Sequence, residues 1–174
     1  MKTLLSSIFL ITILFSSNTS FSAVAKMDNE RLHKLISRID SKPEGQKGYW
    51  IIQYKNMSVY IITSEQANRM RIISPITSAN NIDKETLYRM MQANFDTALD
   101  ARYSIAKGKL WSAFIHPLTE LTDEQFFSGL AQTITLVNTY GNSYSSGALV
   151  FKGGDSNELN QKTFQDIMRR GLKI

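Results

Sequence analysis

Residues 87–140, LYRMMQANFDTALDARYSIAKGKLWSAFIHPLTELTDEQFFSGLAQTITLVNTY, constrain what this chain can fold into more than any other stretch. They read as a helix, a β-hairpin turning at Lys107-Gly108-Lys109, and a second long helix. The long helix has the clearest start. Thr122 and Gln125 form a capping box inside a hydrophobic staple of Leu121 and Phe126, and Asp123 and Glu124 sit where the helix dipole favours negative charge. Its apolar stripe is Phe126, Phe127, Leu130, Ile134 and Val137, and Gly141 stops it. The earlier helix starts after an Asp83 cap, with Ile82 and Leu87 placed as a staple and a predicted core stripe of Leu87, Met90, Met91 and Phe95. In the hairpin, Tyr103 and Ile105 alternate with Arg102 and Ser104. Leu110 and Phe114 then share one face of the last strand, opposite Trp111, Ala113 and Ile115.

Upstream, Leu32, Leu35, Ile36 and Ile39 fall at i, i+3, i+4 and i+7 behind an Asp28 cap, with Met27 and Leu32 as a staple, so a helix is expected there. His33 lies beside that stripe and reads as a surface residue. Pro43 and Gly45 end the helix in a turn. Three strands follow, YWIIQY at 49–54, SVYIIT at 58–63 and RMRIIS at 69–74, the last stopping at Pro75, which cannot donate to a ladder. Trp50, Ile52 and Tyr54 share one face of the first strand, and Tyr49, Ile51 and Gln53 share the other. Large apolar groups on both faces mean that helices cover both, or that one awaits a partner. Downstream, a Ser/Asn/Gly loop and residues 148–151, read as a short strand or a buried loop, lead to a last helix capped by Asn160, with Phe164, Ile167, Met168 and Leu172 on one side. Residues 147–174 read as an accessory extension.

The first 25 residues are expected to be an export signal rather than fold. Lys2 supplies a positive end, an apolar run spans residues 4–15, and Ala23-Val24-Ala25 has the small-x-small pattern of a cleavage site. That run is shorter than a bilayer crossing needs. Cleavage after Ala25 leaves residues 26–174 as a single periplasmic or secreted domain. The chain contains no cysteine. Its stability is therefore expected from packing alone, and Cys-based zinc, haem or iron–sulfur chemistry is excluded. A formal charge of +5 permits attraction to acidic partners or anionic lipid, with Arg169, Arg170 and Lys173 crowding the last helix end. Nucleic acid is not expected, because no basic–aromatic motif occurs.

The order helix, three strands, helix, two strands, helix resembles the type III secretion chaperone-like fold, shared with the YbjN-type bacterial sensory-transduction regulators. The resemblance is carried by Met91-Gln92-Ala93-Asn94-Phe95 ending a helix, the hairpin at 101–107, Gly108 and 110–114, and the link Leu118-Thr119-Glu120-Leu121-Thr122. It implies an α+β domain in the order α-β-β-β-α-β-β-α plus a C-terminal helix, with an antiparallel sheet of about five strands under packed helices. It also implies a small, often dimeric, non-enzymatic module that binds extended polypeptide. The export signal, the basic charge and the segment 147–174 depart from that pattern.

Catalysis has little to build on. The imidazoles are His33 and His116, neither in an HxH or HExxH arrangement, so no metal or other cofactor is expected. His116 with Asp100 is the alternative, a small hydrolase-like acid–base pair, and Asp96 reads as a loop carboxylate. The loop from Gly141 to Gly147 lacks the ending of a P-loop and reads as a flexible connector. The favoured site is aromatic. Trp50, Ile52, Tyr54, Tyr60, Tyr103 and Trp111 lie on predicted strands and are expected to form a polypeptide-binding or dimer surface, with strand addition at a sheet edge as one mode.

Overall fold

The computed structural model describes residues 26–146 and 158–172. The expected export signal, the expected strand or buried loop at 148–151 and Lys173 lie outside them. The fold is α+β, with α1 (Asn29–Ile39), β1 (Glu44–Gln46), β2 (Tyr49–Tyr54), β3 (Met57–Ser64), β4 (Arg69–Ser78), α2 (Lys84–Asp96), β5 (Arg102–Ala106), β6 (Lys109–His116), α3 (Asp123–Asn138) and α4 (Glu158–Leu172). The strands form one antiparallel sheet of six, in the order β1-β2-β3-β4-β6-β5.

Local chemistry sets the helix starts. Asp28 accepts from the Arg31 backbone at 2.8 Å, Asp83 from Thr86 at 2.6 Å, and Thr122 and Gln125 close the capping box. Strand bounds depart from expectation at two places. The turn around Gly45 is a short edge strand, because Glu44 to Gln46 fold back along β2. β4 runs past Pro75, which stands opposite Trp111 just before a bulge that absorbs the missing donor.

Helices α1, α3 and α4 cover one face of the sheet, and α2 lies along the β5 edge. α3 is buried on nearly every side, polar Gln132, Thr133 and Thr135 included, rather than along one stripe. The reason is α4, which packs on its outer side and on α1. Residues 158–172 are therefore part of the core. Ile167 is fully buried, the α1 residue Arg38 donates to the Gly171 carbonyl at 2.7 Å, and Tyr54 on β2 donates to Asp166 at 3.1 Å. Asn160 lies inside the helix, which begins at Glu158, rather than before it. Nor does the loop after α3 hang free. Tyr144, Ser145 and Ser146 are buried, held by Thr97 to the Tyr144 carbonyl at 3.0 Å and by Thr139 to the Ser145 carbonyl at 2.7 Å. A loop carrying buried peptide groups must pair them, and these pairs fix it.

Candidate functional site

In a strand the side chains alternate, so the expected site divides between two faces. The structure places Trp50, Ile52, Tyr54 and Tyr103 under the helices, each at 4% exposure or less. They are core, not surface. Each polar handle there has a partner, as a buried aromatic requires. The Trp50 indole donates to His33 Nδ1 at 3.1 Å, so His33 is half-buried behind Trp50 rather than a plain surface residue. The Tyr103 hydroxyl donates to the Leu136 carbonyl at 3.1 Å, and burial pushes its pKa well above the ordinary phenol. Burial and then the Asp166 bond raise Tyr54 from 10.0 to about 12. Asp166 itself is pushed up by burial, but bonds from Arg170, Tyr54 and Arg169 outweigh this and hold it below the usual carboxylate range.

Tyr60 and Trp111 lie on the other face. No described element covers it. Tyr49 is 40% exposed there and Ile115 60%, and Ile51, Ile62, Ile73 and Ala113 are half-buried. Three aromatic rings cross the sheet as a row. Tyr49 and Tyr60 have centroids 6.4 Å apart, and Tyr60 meets Trp111 edge-on at 6.2 Å across β4. The Trp111 indole donates to the Ala106 carbonyl at 2.9 Å, which fixes its ring. Together with Ile62, Ile73 and Ile115 the row encloses a concavity of about 440 Å³ with Arg71 in its lining and Lys107 at its rim. Of the two alternatives, helices over both faces or one face left open, the described residues show the second, and the open face is that of Tyr49 and Tyr60, opposite Trp50.

The sheet edges offer less. β1 is three residues long. On β5, the Asn94 amide receives the Tyr103 N–H at 2.8 Å and donates to the Tyr103 carbonyl at 3.1 Å, occupying one outward pair of the backbone groups that an added strand would need.

His116 and Asp100 do come together, in a second cleft of about 320 Å³ that Glu124, Ser128 and Gln132 also line. Their bonds point elsewhere. His116 Nδ1 lies 2.7 Å from the Pro117 carbonyl and its ring stacks on Phe114 at 6.0 Å. Gln132 donates to Asp100 Oδ2 at 3.2 Å and to Ser128 Oγ at 3.1 Å, while accepting the Asp100 and Ala101 N–H groups at 2.8 and 3.1 Å. Gln132 thus works as a brace for the chain entering β5. Among the described residues no hydrogen bond joins His116 to Asp100 or Ser128, so the nucleophile–base geometry of a hydrolase is not assembled there. Asp96 ends α2 and stands outside this cleft.

Comparison with solved structures decides what the fold is. A chain of the ExsC–ExsE complex matches with a TM-score of 0.51 and 11% identity, over 64% of this chain and 92% of that one. The Yersinia pestis type III secretion chaperone SycH, in complex with a stable fragment of YscM2, matches with a TM-score of 0.51 and 12% identity, over 64% and 98%. The HopA1–SchA chaperone–effector complex matches with a TM-score of 0.50 and 11% identity, over 64% and 94%. The chain has a type III secretion chaperone-like fold. No protein-family model matches it, and no curated protein is significantly similar.

Two features of this fold went unread in the sequence. Of the expected α2 stripe Met90 is buried, together with Ala93, while Leu87, Met91 and Phe95 are 37, 47 and 90% exposed, with Tyr88 beside them at 66%. The spacing of Met90 and Ala93 was the available signal, and the size of Phe95 hid it. The basic end of α4 is also less available than its composition implies, because Arg169 and Arg170 both pair with Asp166, at 3.2 and 3.0 Å.

Proposed function

We propose that this chain is a non-enzymatic, polypeptide-binding protein of the cell envelope, exported by residues 1–25, cleaved after Ala25, and holding an extended segment of another protein on the open face of its sheet. One observation carries the reading: an aromatic and apolar sheet face, concave and uncovered, in a fold shared with solved chaperone complexes. Tyrosine and tryptophan suit such a surface because they join large apolar area to a polar handle. A photo-crosslinking side chain placed at Tyr60 or Ile115 in cells should capture one and the same envelope partner, and Trp111→Ala should abolish that adduct. The probe at exposed Lys34 on α1 should capture none of it. Equal capture from all three positions would refute the site. Recovery of the protein in the cytoplasm with residues 1–25 intact would refute the export.

A second reading concerns self-association, and the α2 row favours it. Leu87, Met91 and Phe95 lie along one side of the helix, and such a row is self-complementary when two copies pair about a two-fold axis. Sedimentation of the mature chain should give a dimer, and Met91→Glu with Phe95→Glu a folded monomer. A monomeric wild-type protein at micromolar concentration would refute this reading alone.

A further inference from the structure

The open face is not only apolar but charged with one sign. Alternation along the strands puts Arg69 and Arg71 of β4, Arg102 of β5 and Lys109 of β6 on it, and Lys107 stands at the rim of the concavity. Of the strand residues facing this side, only Glu44 on the β1 edge is acidic. Arg102 turns its guanidinium to the Ala98 and Ala101 carbonyls, at 2.5 and 3.3 Å. The salt bridges among the described residues join other groups and leave Arg71 out of every pair.

Arg71 is the residue this bears on most. Its cross-strand partners are Ile62 on β3 and Ile115 on β6, and Ile73 follows it on the same face. Its exposed side chain leaves the sheet between those isoleucines and lines the concavity. A purely apolar guest laid over those isoleucines would strip water from the guanidinium and return nothing, a cost that grows with burial. A guest carrying a carboxylate at that point replaces the lost water with a charge-assisted, potentially bidentate pair. Selectivity follows from the penalty on the wrong guest as much as from the gain on the right one.

We infer that the open face selects extended polypeptide segments in which acidic side chains sit between large apolar ones, with Arg71 reading the carboxylate and the Tyr49–Tyr60–Trp111 row holding the apolar neighbours. This deepens the polypeptide-binding reading and rests on it. The surrounding cations steer acidic segments towards the face, so the association rate falls as salt rises. A flat anionic bilayer shares the charge but not the shape. It would meet the rims of the concavity, whereas single side chains can enter it.

The test uses the mature full chain and three fluorescent peptides of equal length, in which Leu and Phe alternate with Glu, with Gln, or with Lys. Anisotropy titrations should give the Glu peptide about tenfold tighter binding than the Gln peptide, with the Lys peptide weakest. In Arg71→Gln that preference should fall to about twofold or less, and Arg71→Lys should keep part of it. Equal affinity for the Glu and Gln peptides, or a preference untouched by Arg71→Gln, overturns the inference. If both peptides then still depend on Trp111, the binding face stands without its charge selectivity. If no peptide binds at all, both readings fall. Flotation with phosphatidylglycerol vesicles in the absence of Glu-peptide binding identifies a membrane surface and also overturns the inference.

Discussion

Gly171 tests whether α4 belongs to the core as closely as its contacts imply. A methyl group added there would lie 2.4 Å from Cγ and Cδ1 of Phe127 and 2.5 Å from Cδ2, against 3.4–4 Å for ordinary contact. The ring cannot easily give way. Phe127 is fully buried and packs edge-on against Phe126 with centroids 5.1 Å apart. Two opposed terms set the sign of Gly171→Ala. Helix propensity favours alanine by up to about 1 kcal/mol, and overpacking a filled core costs about 1–3 kcal/mol. With the methyl group aimed at the ring itself the upper part of that range applies, so a net loss of about 1–2 kcal/mol is expected. Urea unfolding should show a lower midpoint at unchanged slope, with a melting shift of about 2–4 °C per kcal/mol. Adding Phe127→Leu should recover part of the loss, because the smaller side chain makes room, and the pair should then be non-additive. A rise in stability by the propensity term alone would refute the reasoning. It would mean that α4 does not press on α3 at that distance.

Three further outcomes are expected. Tyr54, with its pKa raised from 10.0 to about 12, contributes stability that is complete below pH 10 and is lost as pH rises towards 12; tyrosinate absorbance alongside unfolding should show this loss, and Tyr54→Phe should remove it. Asn94→Leu deletes both bonds to the Tyr103 backbone, so about 1–2 kcal/mol should be lost. The freed β5 edge should also raise aggregation, read by light scattering. Gln132→Leu strands the Asp100 and Ala101 N–H groups and should cost about 2–4 kcal/mol by chemical denaturation.

Much of the architecture is legible in the sequence because it rests on short-range chemistry. Asp28, Asp83 and the Thr122–Gln125 box act within three residues of themselves, and the strand runs alternate as written. What was misjudged depends on distant partners. Both faces of β2 are rich in large apolar groups, so alternation separates Trp50 from Tyr49 without saying which is inside. The decision comes from His33 on α1, which accepts the Trp50 indole, and from Asp166 on α4, which accepts the Tyr54 hydroxyl. β1 has no apolar residue to announce it. On α2 the period is right but its phase is wrong, because the buried side is built on Met90 and the small Ala93 while the bulk of Leu87, Met91 and Phe95 faces out.

These errors share a cause that bears on function. Hydrophobicity reports that a side chain prefers to leave water, not whether its own chain supplies the cover. Where it does, the polar handles close on internal partners, as Tyr103 closes on Leu136 and Trp50 on His33. On the open face Trp111 also closes on an internal carbonyl, that of Ala106, but Arg71, set between isoleucines in the register, has no ion pair among the described residues. A face built only to be covered by this chain's own helices would gain nothing from Arg71 and would pay its desolvation. Arginine at that position is consistent with an apolar surface that must stay wet while empty and accept cover from an acidic guest. Under the proposed function the cover of this face comes from another molecule, and no periodicity within one chain can report that.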